Sequence, residues 1–273
     1  MIDLELFRQY LKQRKLTSVS IDSYMRDVEQ FCGCVAARGI EDMDCVTKDD
    51  IRRYCDHMEE RGLAPVSIQR KTASVKRYFE YLCGVGQARH NPVKGVRLNT
   101  KGGPRVKALT AQQMDKLLSV PDTRTMGGIR DKAMFTLINA TGIKVSELIA
   151  LRVEDLRLAE KTVDVSRQEL TVTLEMDDEA CRCLGAYIEA RKTQQPSQNT
   201  PLFLNVYGEG ITRQGVWKTL KKYAEAAGVE GITLETMRRS FARRCIEEGR
   251  DVRELKEILG HSDISITRAY IRE

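Results

Sequence analysis

The stretch Thr141-Gly-Ile-Lys-Val-Ser-Glu-Leu148 stands just past the midpoint of the 273-residue chain. The sequence predicts a helix on each side of it, over 127–141 and 145–152, so Lys144 lies at a junction between two helices. Upstream of it, Thr110-Ala-Gln-Gln113 has the pattern of a capping box and predicts a helix over 111–119. The chain around this stretch is therefore expected to be rich in helix.

The residues that follow predict one hairpin and more helices. The segment from Lys161 to Leu174 alternates as two paired strands do. The residues that favour strands are Thr162, Val163 and Val165 in the first strand and Leu170, Val172 and Leu174 in the second. A short strand is predicted at Pro201–Leu204. Further helices are predicted over 177–192, 212–227, 233–248, 251–259 and 264–271.

The first 85 residues predict four helices, over 4–14, 18–38, 47–61 and 65–83. Gly39 ends the second helix, and Thr47, followed by two aspartates, has the pattern of a helix start. Pro65 suits the first turn of the fourth helix because that position needs no backbone N–H donor. A Gly- and Pro-containing segment over 86–107 then predicts a linker. The length also suits two domains.

Composition places the chain among cytoplasmic globular proteins. Hydrophobic residues make up 41% and charged residues 31% of the sequence. No apolar run approaches the ~20 residues that span a bilayer, and the N-terminus, Met1 to Glu5, does not resemble a signal peptide. The eight cysteines lack the spacing of a metal site, so reduced thiols are expected and no metal is predicted.

Charge is distributed unevenly along the chain. Between Arg61 and Lys107 the sequence holds eleven lysines and arginines against one acid, Glu80. Such a segment predicts a surface that binds the phosphates of double-stranded DNA, although a solvated basic linker remains the alternative. The predicted DNA-binding cations of this segment are Arg70, Lys71, Lys76, Arg77, Lys101, Arg105 and Lys107.

Four motifs in order resemble those of tyrosine recombinases, the phage integrase family. Thr141–Leu148 resembles the family's T-G-L-R-V-S-E-L, and Met237–Ala242 resembles its L-R-H-S-F-A. Leu259–Thr267 resembles L-G-H followed by a small polar stretch, and Tyr270 stands nine residues after His261. The resemblance covers essentially the whole chain and is nearest to the short Xer-like members.

The resemblance implies a fold and a chemistry. The fold would be mainly α-helical, with a four-helix, SAM-like core-binding domain over 1–85, a basic linker over 86–107 and a catalytic domain with a small hairpin over 108–273. The chemistry would be phosphoryl transfer without metal or other cofactor, in which a tyrosine oxygen joins the 3′-phosphate of a broken strand. Tyr270 would be the nucleophile, and Arg238 and His261 would contact the phosphate.

Several positions depart from the family pattern. Lys144 replaces the first arginine, which keeps the charge and loses the planar fork. Glu235 replaces a histidine, where a carboxylate would repel phosphate unless it is protonated or turned towards Arg238. The hairpin turn contains no lysine, although Arg167 or Lys161 could approach the site. Arg239, which replaces another histidine, is expected to bind DNA.

These departures leave more than one function open. The first is a site-specific recombinase or integrase that assembles on DNA, as a tetramer or beside a partner recombinase. The second is a catalytically impaired DNA-binding paralogue that regulates or assists a partner. A plain helical transcription factor fits less well, because DNA binding alone does not require Tyr270 in that sequence frame.

Overall fold

A computed structural model of the chain describes residues 4–14, 16–96, 107–167, 170–194 and 201–271. It divides into two compact units, residues 1–105 and 106–273. Within the described ranges, no helix combines the length and apolarity that a membrane-crossing segment needs. The same residues contain no group of three or more His, Cys, Asp or Glu side chains placed to share a metal ion.

The first unit is built from the four helices that the sequence predicts. These are α1 (Leu4–Gln13), α2 (Ser18–Ala36), α3 (Lys48–Glu60) and α4 (Pro65–Gly84). The Thr47 hydroxyl accepts the backbone N–H of Asp50, whose carboxylate accepts the N–H of Thr47, so the start of α3 is satisfied on both sides. Pro65 occupies the first turn of α4, as expected.

The core of the first unit extends past the predicted boundary at residue 85. Ala88 and Val93 are buried with the aromatic side chains of the helices. The Asn91 side-chain amide donates to the carbonyl of Lys76 at 2.9 Å, which ties this segment to α4. The first part of the predicted linker 86–107 therefore packs on the helices, because its apolar side chains cover the core. Residues 97–106, with Lys101 and Arg105, lie outside the described residues.

The second unit contains eight α-helices among its described residues, at the predicted places. They are α5 (Ala111–Ser119), α6 (Met126–Thr141), α7 (Val145–Ala150), α8 (Asp178–Arg191), α9 (Arg213–Ala227), α10 (Leu234–Glu247), α11 (Val252–Leu259) and α12 (Ile264–Ile271). Helix α6 lies at the centre of the core, where Met134, Phe135 and Leu137 are fully buried. A smaller cluster that includes Phe241, Leu255 and Leu259 joins α10 to α11.

The described residues of this unit also form a three-stranded antiparallel sheet. The predicted hairpin is confirmed: β2 (Thr162–Arg167) pairs with β3 (Leu170–Glu175), with Val165 opposite Val172. A two-residue strand that the sequence did not predict, β1 (Leu156–Arg157), pairs with the other edge of β2.

The predicted strand at Pro201–Leu204 is wrong. The Leu202 amide donates to the carbonyl of Leu151, and the Leu204 amide donates to the Tyr187 hydroxyl at 3.0 Å. Leu204 makes only an isolated bridge, with Gly210. These amides bond to partners outside any strand, so no ladder forms although the segment is buried.

Candidate active site

Arg238 is the most deeply held cation of the site. It lies on α10 with 8% of its surface exposed. Its Nε donates to the Gly142 carbonyl at 2.8 Å, and its Nη2 donates to the Leu259 carbonyl at 2.7 Å. Burial lowers the pKa of Arg238 from its ordinary value. The two carbonyls come from the first and the third sequence motif, so Arg238 joins three distant parts of the chain.

Gly142 makes this arrangement possible. It ends α6 with a φ of 62°, in the left-handed region that glycine adopts without strain. A Cβ placed here would lie 2.4 Å from Cδ1 of Phe241, far closer than two carbons can pack. The absence of a side chain lets the end of α6 lie against α10 and brings the Gly142 carbonyl to Arg238.

Lys144 lies beside Arg238, at the start of α7. Its Nζ donates to the Gly260 carbonyl at 2.7 Å and lies 3.9 Å from a carboxylate oxygen of Glu147. Burial lowers the pKa of Lys144; Glu147 opposes this shift, while the positive charge of Arg238 adds to it. The lysine therefore stands close to its paired acid and close to a second cation.

Arg167 enters the same cluster from the end of β2. Its Nε and Nη2 donate to the two carboxylate oxygens of Glu147 at 2.8 and 3.1 Å, and its Nη1 donates to the Glu257 carbonyl at 2.7 Å. The Glu147 side chain is only 6% exposed. Of the two basic residues considered for the hairpin, Arg167 therefore reaches the site, whereas Lys161 pairs with Asp178 at 2.7 Å.

His261 and Tyr270 face each other. Their ring centroids are 4.6 Å apart in an edge-to-face arrangement. The Nδ1 of His261 shares a hydrogen bond with the hydroxyl of Thr267 at 2.9 Å, which holds the ring in place. Burial, and then repulsion by Arg238 and Lys144, lower the pKa of His261 to about 4. The imidazole is therefore neutral at neutral pH.

Glu235 contacts the proposed nucleophile. Burial, and then the interaction of the Tyr270 hydroxyl with the Glu235 carboxylate, raise the pKa of Tyr270 to about 12. Glu235 also pairs with Arg239 at 3.5 Å, and the Arg239 guanidinium lies 4.9 Å from the centre of the Tyr270 ring. The carboxylate is thus turned to the tyrosine, an orientation that the sequence did not predict.

A cleft of about 720 Å³ opens beside these residues. Lys144, Glu235 and Arg238 line it together with Arg213 and Trp217 of α9. Trp217 is 49% exposed. A concave surface with three cations and an open aromatic ring can receive a phosphate and the sugar or base attached to it.

Models of two known domains match the chain. The phage integrase family matches residues 107–273, and the phage integrase N-terminal SAM-like domain matches residues 4–84. The chain belongs to the phage integrase family. Its site residues come from the larger of the two matched segments.

Curated relatives of this integrase-family chain are similar over nearly their whole length. Tyrosine recombinase XerC of Roseiflexus sp. (strain RS-1) is 36% identical over 274 residues, which cover 98% of this chain and 88% of the relative. Tyrosine recombinase XerD of Listeria innocua serovar 6a is 35% identical over 264 residues, covering 94% and 89%. The expected Xer-like family is therefore confirmed.

Solved structures confirm the expected fold. The Tn1549 transposon integrase in complex with transposon right end DNA has a TM-score of 0.79 at 20% identity, over 100% of this chain and 95% of that one. The XerH site-specific recombinase, in a post-cleavage complex with a palindromic substrate, has a TM-score of 0.78 at 17% identity, over 98% and 79%.

Two of the DNA-binding cations predicted on α4 of this integrase-family chain pair with a buried carboxylate. Arg70 and Lys71 both pair with Asp27, which is 2% exposed. Burial alone would raise the pKa of Asp27, but hydrogen bonds from Arg70, Ser74 and Lys71 lower it below its ordinary value. Arg70 and Lys71 therefore hold α4 to α2, a structural task that the sequence did not predict. Their contact with DNA stays a prediction.

The other predicted cations are more open. Lys76 and Lys107 are exposed, and Arg77 lies 3.7 Å from the carboxylate of Glu80 on the same helix. Arg239 contacts Tyr270 and Glu235, so the structure places it beside the tyrosine.

Glu147 is the site residue that the sequence did not predict. Its position inside the Thr141–Leu148 motif could have indicated that it belongs to the site.

Proposed function

We propose that this chain is a site-specific DNA recombinase that breaks and rejoins strands through a 3′-phosphotyrosyl link at Tyr270. The supporting observation is the gathering of Tyr270, His261, Arg238 and Lys144 into one cluster. DNA binding alone does not require a tyrosine hydroxyl beside two phosphate-binding cations. Membership of the phage integrase family supports the same chemistry.

The proposed reaction is an in-line transfer. The Tyr270 oxygen attacks the phosphorus, and its proton passes to Glu235, the carboxylate that interacts with the Tyr270 hydroxyl. The bond between phosphorus and the 5′-oxygen breaks, leaving a 3′-phosphotyrosyl link and a 5′-hydroxyl. A 5′-hydroxyl of another strand then reverses the step, so the bond energy is kept and no nucleotide cofactor is consumed.

Positive charge around the phosphate would supply most of the acceleration. Phosphoryl transfer depends on alignment and on cations at the nonbridging oxygens. Arg238 is held rigidly by two backbone carbonyls, and its guanidinium carries five N–H donors in all. Lys144 lies beside it on the wall of the same cleft. His261, neutral and half-buried, would supply a further hydrogen bond.

The partner of the reaction is double-stranded DNA. Exchange between two duplexes requires four active tyrosines, so we expect four protomers on the DNA, either copies of this chain or copies of it and a partner recombinase. A role on chromosomal or mobile-element DNA would place the protein in the bacterial cytoplasm.

A covalent trapping experiment tests the proposal. The duplex is first selected from a random library by binding to the protein, then nicked beside each candidate phosphate so that a released fragment diffuses away and cleavage cannot reverse. We expect the wild-type chain to give a protein–DNA band on a denaturing gel and Tyr270→Phe to give none. Sequence-specific binding without any such band would contradict the proposal and favour a regulator or accessory subunit.

A further inference from the structure

The departing 5′-oxygen needs a proton, and the structure points to its source. An alkoxide is a poor leaving group at neutral pH, so a positioned acid commonly supplies the proton as the bond breaks. This question rests on the function proposed above. The hairpin turn, where the family resemblance implies a lysine, holds none among its described residues, and Arg167 ends β2 there.

Most ionisable groups of the cluster are poor donors. Arg238, Arg167 and Arg239 carry guanidinium groups, which do not lose protons in proteins. His261 is neutral at neutral pH, because burial and the neighbouring cations lower its pKa to about 4. Glu235 interacts with the Tyr270 hydroxyl and so serves the attacking oxygen.

Lys144 is the ionisable group of the cluster that is placed to act as an acid. It lines the cleft with Arg238, and 34% of its side chain is exposed, so a strand in the cleft can reach its ammonium group. The Gly260 carbonyl accepts one of its three N–H bonds at 2.7 Å and fixes the direction of the others. The charged groups that face it are Glu147 of α7, Arg167 of β2 and Arg238 of α10.

Arg167 keeps Lys144 available. If the two side chains were alone, Glu147 would hold Lys144 in an ion pair, since their charges lie 3.9 Å apart on one helical turn. Arg167 instead holds both oxygens of that carboxylate in a two-pronged contact, the strongest geometry for such a pair. Relative to the family pattern, lysine and arginine have thus exchanged places between α7 and the hairpin.

We infer that Lys144 is the acid that protonates the 5′-oxygen, and that Arg167 positions it by holding Glu147. As the Tyr270 oxygen bonds to phosphorus, the bond from phosphorus to the 5′-oxygen breaks and that oxygen takes a proton from the Lys144 ammonium. Lys144 is left as a neutral amine beside Arg238. In the rejoining step the amine takes the proton back from the incoming 5′-hydroxyl.

A sulfur substitution at the leaving atom tests this role. A duplex with 5′-sulfur at the cleaved bond releases a thiolate, which needs no proton because thiols are far stronger acids than alcohols. Single-turnover cleavage is measured for wild type, Lys144→Gln and Lys144→Arg on ordinary and sulfur-containing duplexes. On ordinary DNA we expect both variants to be slowed about 10²–10⁴-fold. On sulfur-containing DNA both should cleave close to the wild-type rate.

Arg238→Gln is the matched control, and it should be slowed on both duplexes because Arg238 gives no proton. Lys144→Arg keeps the charge and the contact to Gly260, so it guards against misfolding in Lys144→Gln. Ordinary DNA cleaved by Lys144→Arg as fast as by wild type, or equal slowing of both Lys144 variants on the two duplexes, would overturn the inference.

Two outcomes separate this inference from the proposed function. Wild-type cleavage of only the sulfur-containing duplex would show an active nucleophile without a working acid, which overturns the role of Lys144 and keeps that of Tyr270. Wild-type cleavage of neither duplex would overturn both.

Discussion

Glu147 is the buried carboxylate around which the cations of the site are arranged. Arg167 binds its two oxygens, Lys144 lies close to it, and its Oε2 also accepts the backbone N–H of Lys144 at 3.0 Å. A buried carboxylate is tolerated only when paired, so these partners are needed for stability as well as for chemistry. The capping bond fixes where α7 begins and hence where Lys144 stands.

Gly142 is the residue at which backbone conformation and site geometry meet. Gly142→Ala should destabilise the chain by more than the ~1–2 kcal/mol of a left-handed alanine, because its methyl group would also overlap Phe241. Urea unfolding of the whole chain measures the loss. Gly228→Ala is the control, since Gly228 ends α9 with a φ of 64° and open space around it.

Equal losses at Gly142 and Gly228 would mean that the packing of α6 against α10 does not depend on the absent side chain. A larger loss at Gly142 should be accompanied by slower DNA cleavage, because the Gly142 carbonyl holds Arg238.

Sequence alone predicted some residues of the candidate site and not others, for a physical reason. Tyr270, Arg238 and His261 stand in short frames whose spacing is local, so their positions could be predicted. The contact between Arg167 and Glu147 joins residues 20 positions apart and depends on the register of β2 with β3. Likewise, the orientation of Glu235 towards Tyr270 follows from how α10 packs against α12, which no local pattern encodes.

Helix α10 is the element that carries the site, since Glu235, Arg238 and Arg239 project from its first two turns. Its start is fixed by Thr233, whose hydroxyl accepts the backbone N–H of Thr236 at 3.0 Å. The Thr236 hydroxyl lies 2.8 Å from the Thr233 backbone nitrogen and accepts its hydrogen. The first turn therefore holds its orientation in the absence of DNA.

Thr233→Ala should lower the free energy of unfolding by about 1 kcal/mol, the ordinary cost of losing a helix cap. Asp177→Ala removes the corresponding cap of α8, which holds no proposed site residue, and should cost about as much. Urea unfolding gives both values, and single-turnover cleavage separates them: only Thr233→Ala should slow the reaction. Similar cleavage by the two variants would show that α10 is held by packing alone.

The helices could be predicted because their first residues are set by side chains close by in the sequence. Thr110 with Gln113, Thr47 with Asp50, and Pro65 start helices at the expected residues. The segment Pro201–Leu204 shows the limit of such reasoning, because its apolar run is buried without strand pairing. Strand β1 is only two residues long, too short for a period to appear.

At the scale of the whole molecule, basic charge is concentrated on a chain segment and not spread evenly. Residues 61–107 carry a net charge of +10 in a chain of net charge +6, so the remainder is acidic by 4. Arg70 and Lys71 form ion pairs with Asp27. Exposed cations such as Lys76 and Lys107 are therefore better placed for phosphate contact.

DNA affinity should fall steeply with salt, because each phosphate contact releases counterions. Lys76→Ala and Lys107→Ala should each weaken binding to all sequences and reduce the slope of log affinity against log salt by about 1. Binding titrations at several salt concentrations measure both effects. Lys192→Ala is the control, because Lys192 is exposed and pairs with Glu189 outside the basic segment. A slope near zero for the wild-type chain would refute the electrostatic model.

Tyr270 is the nucleophile on which the proposed reaction depends. The most direct measurement is mass spectrometry of the trapped covalent complex after nuclease and trypsin digestion. We predict a nucleotide attached through its 3′-phosphate to Tyr270, in the peptide Ala269-Tyr270-Ile271-Arg272. A nucleotide on any other residue, or an unmodified peptide from a complex that has cleaved its DNA, would contradict the account.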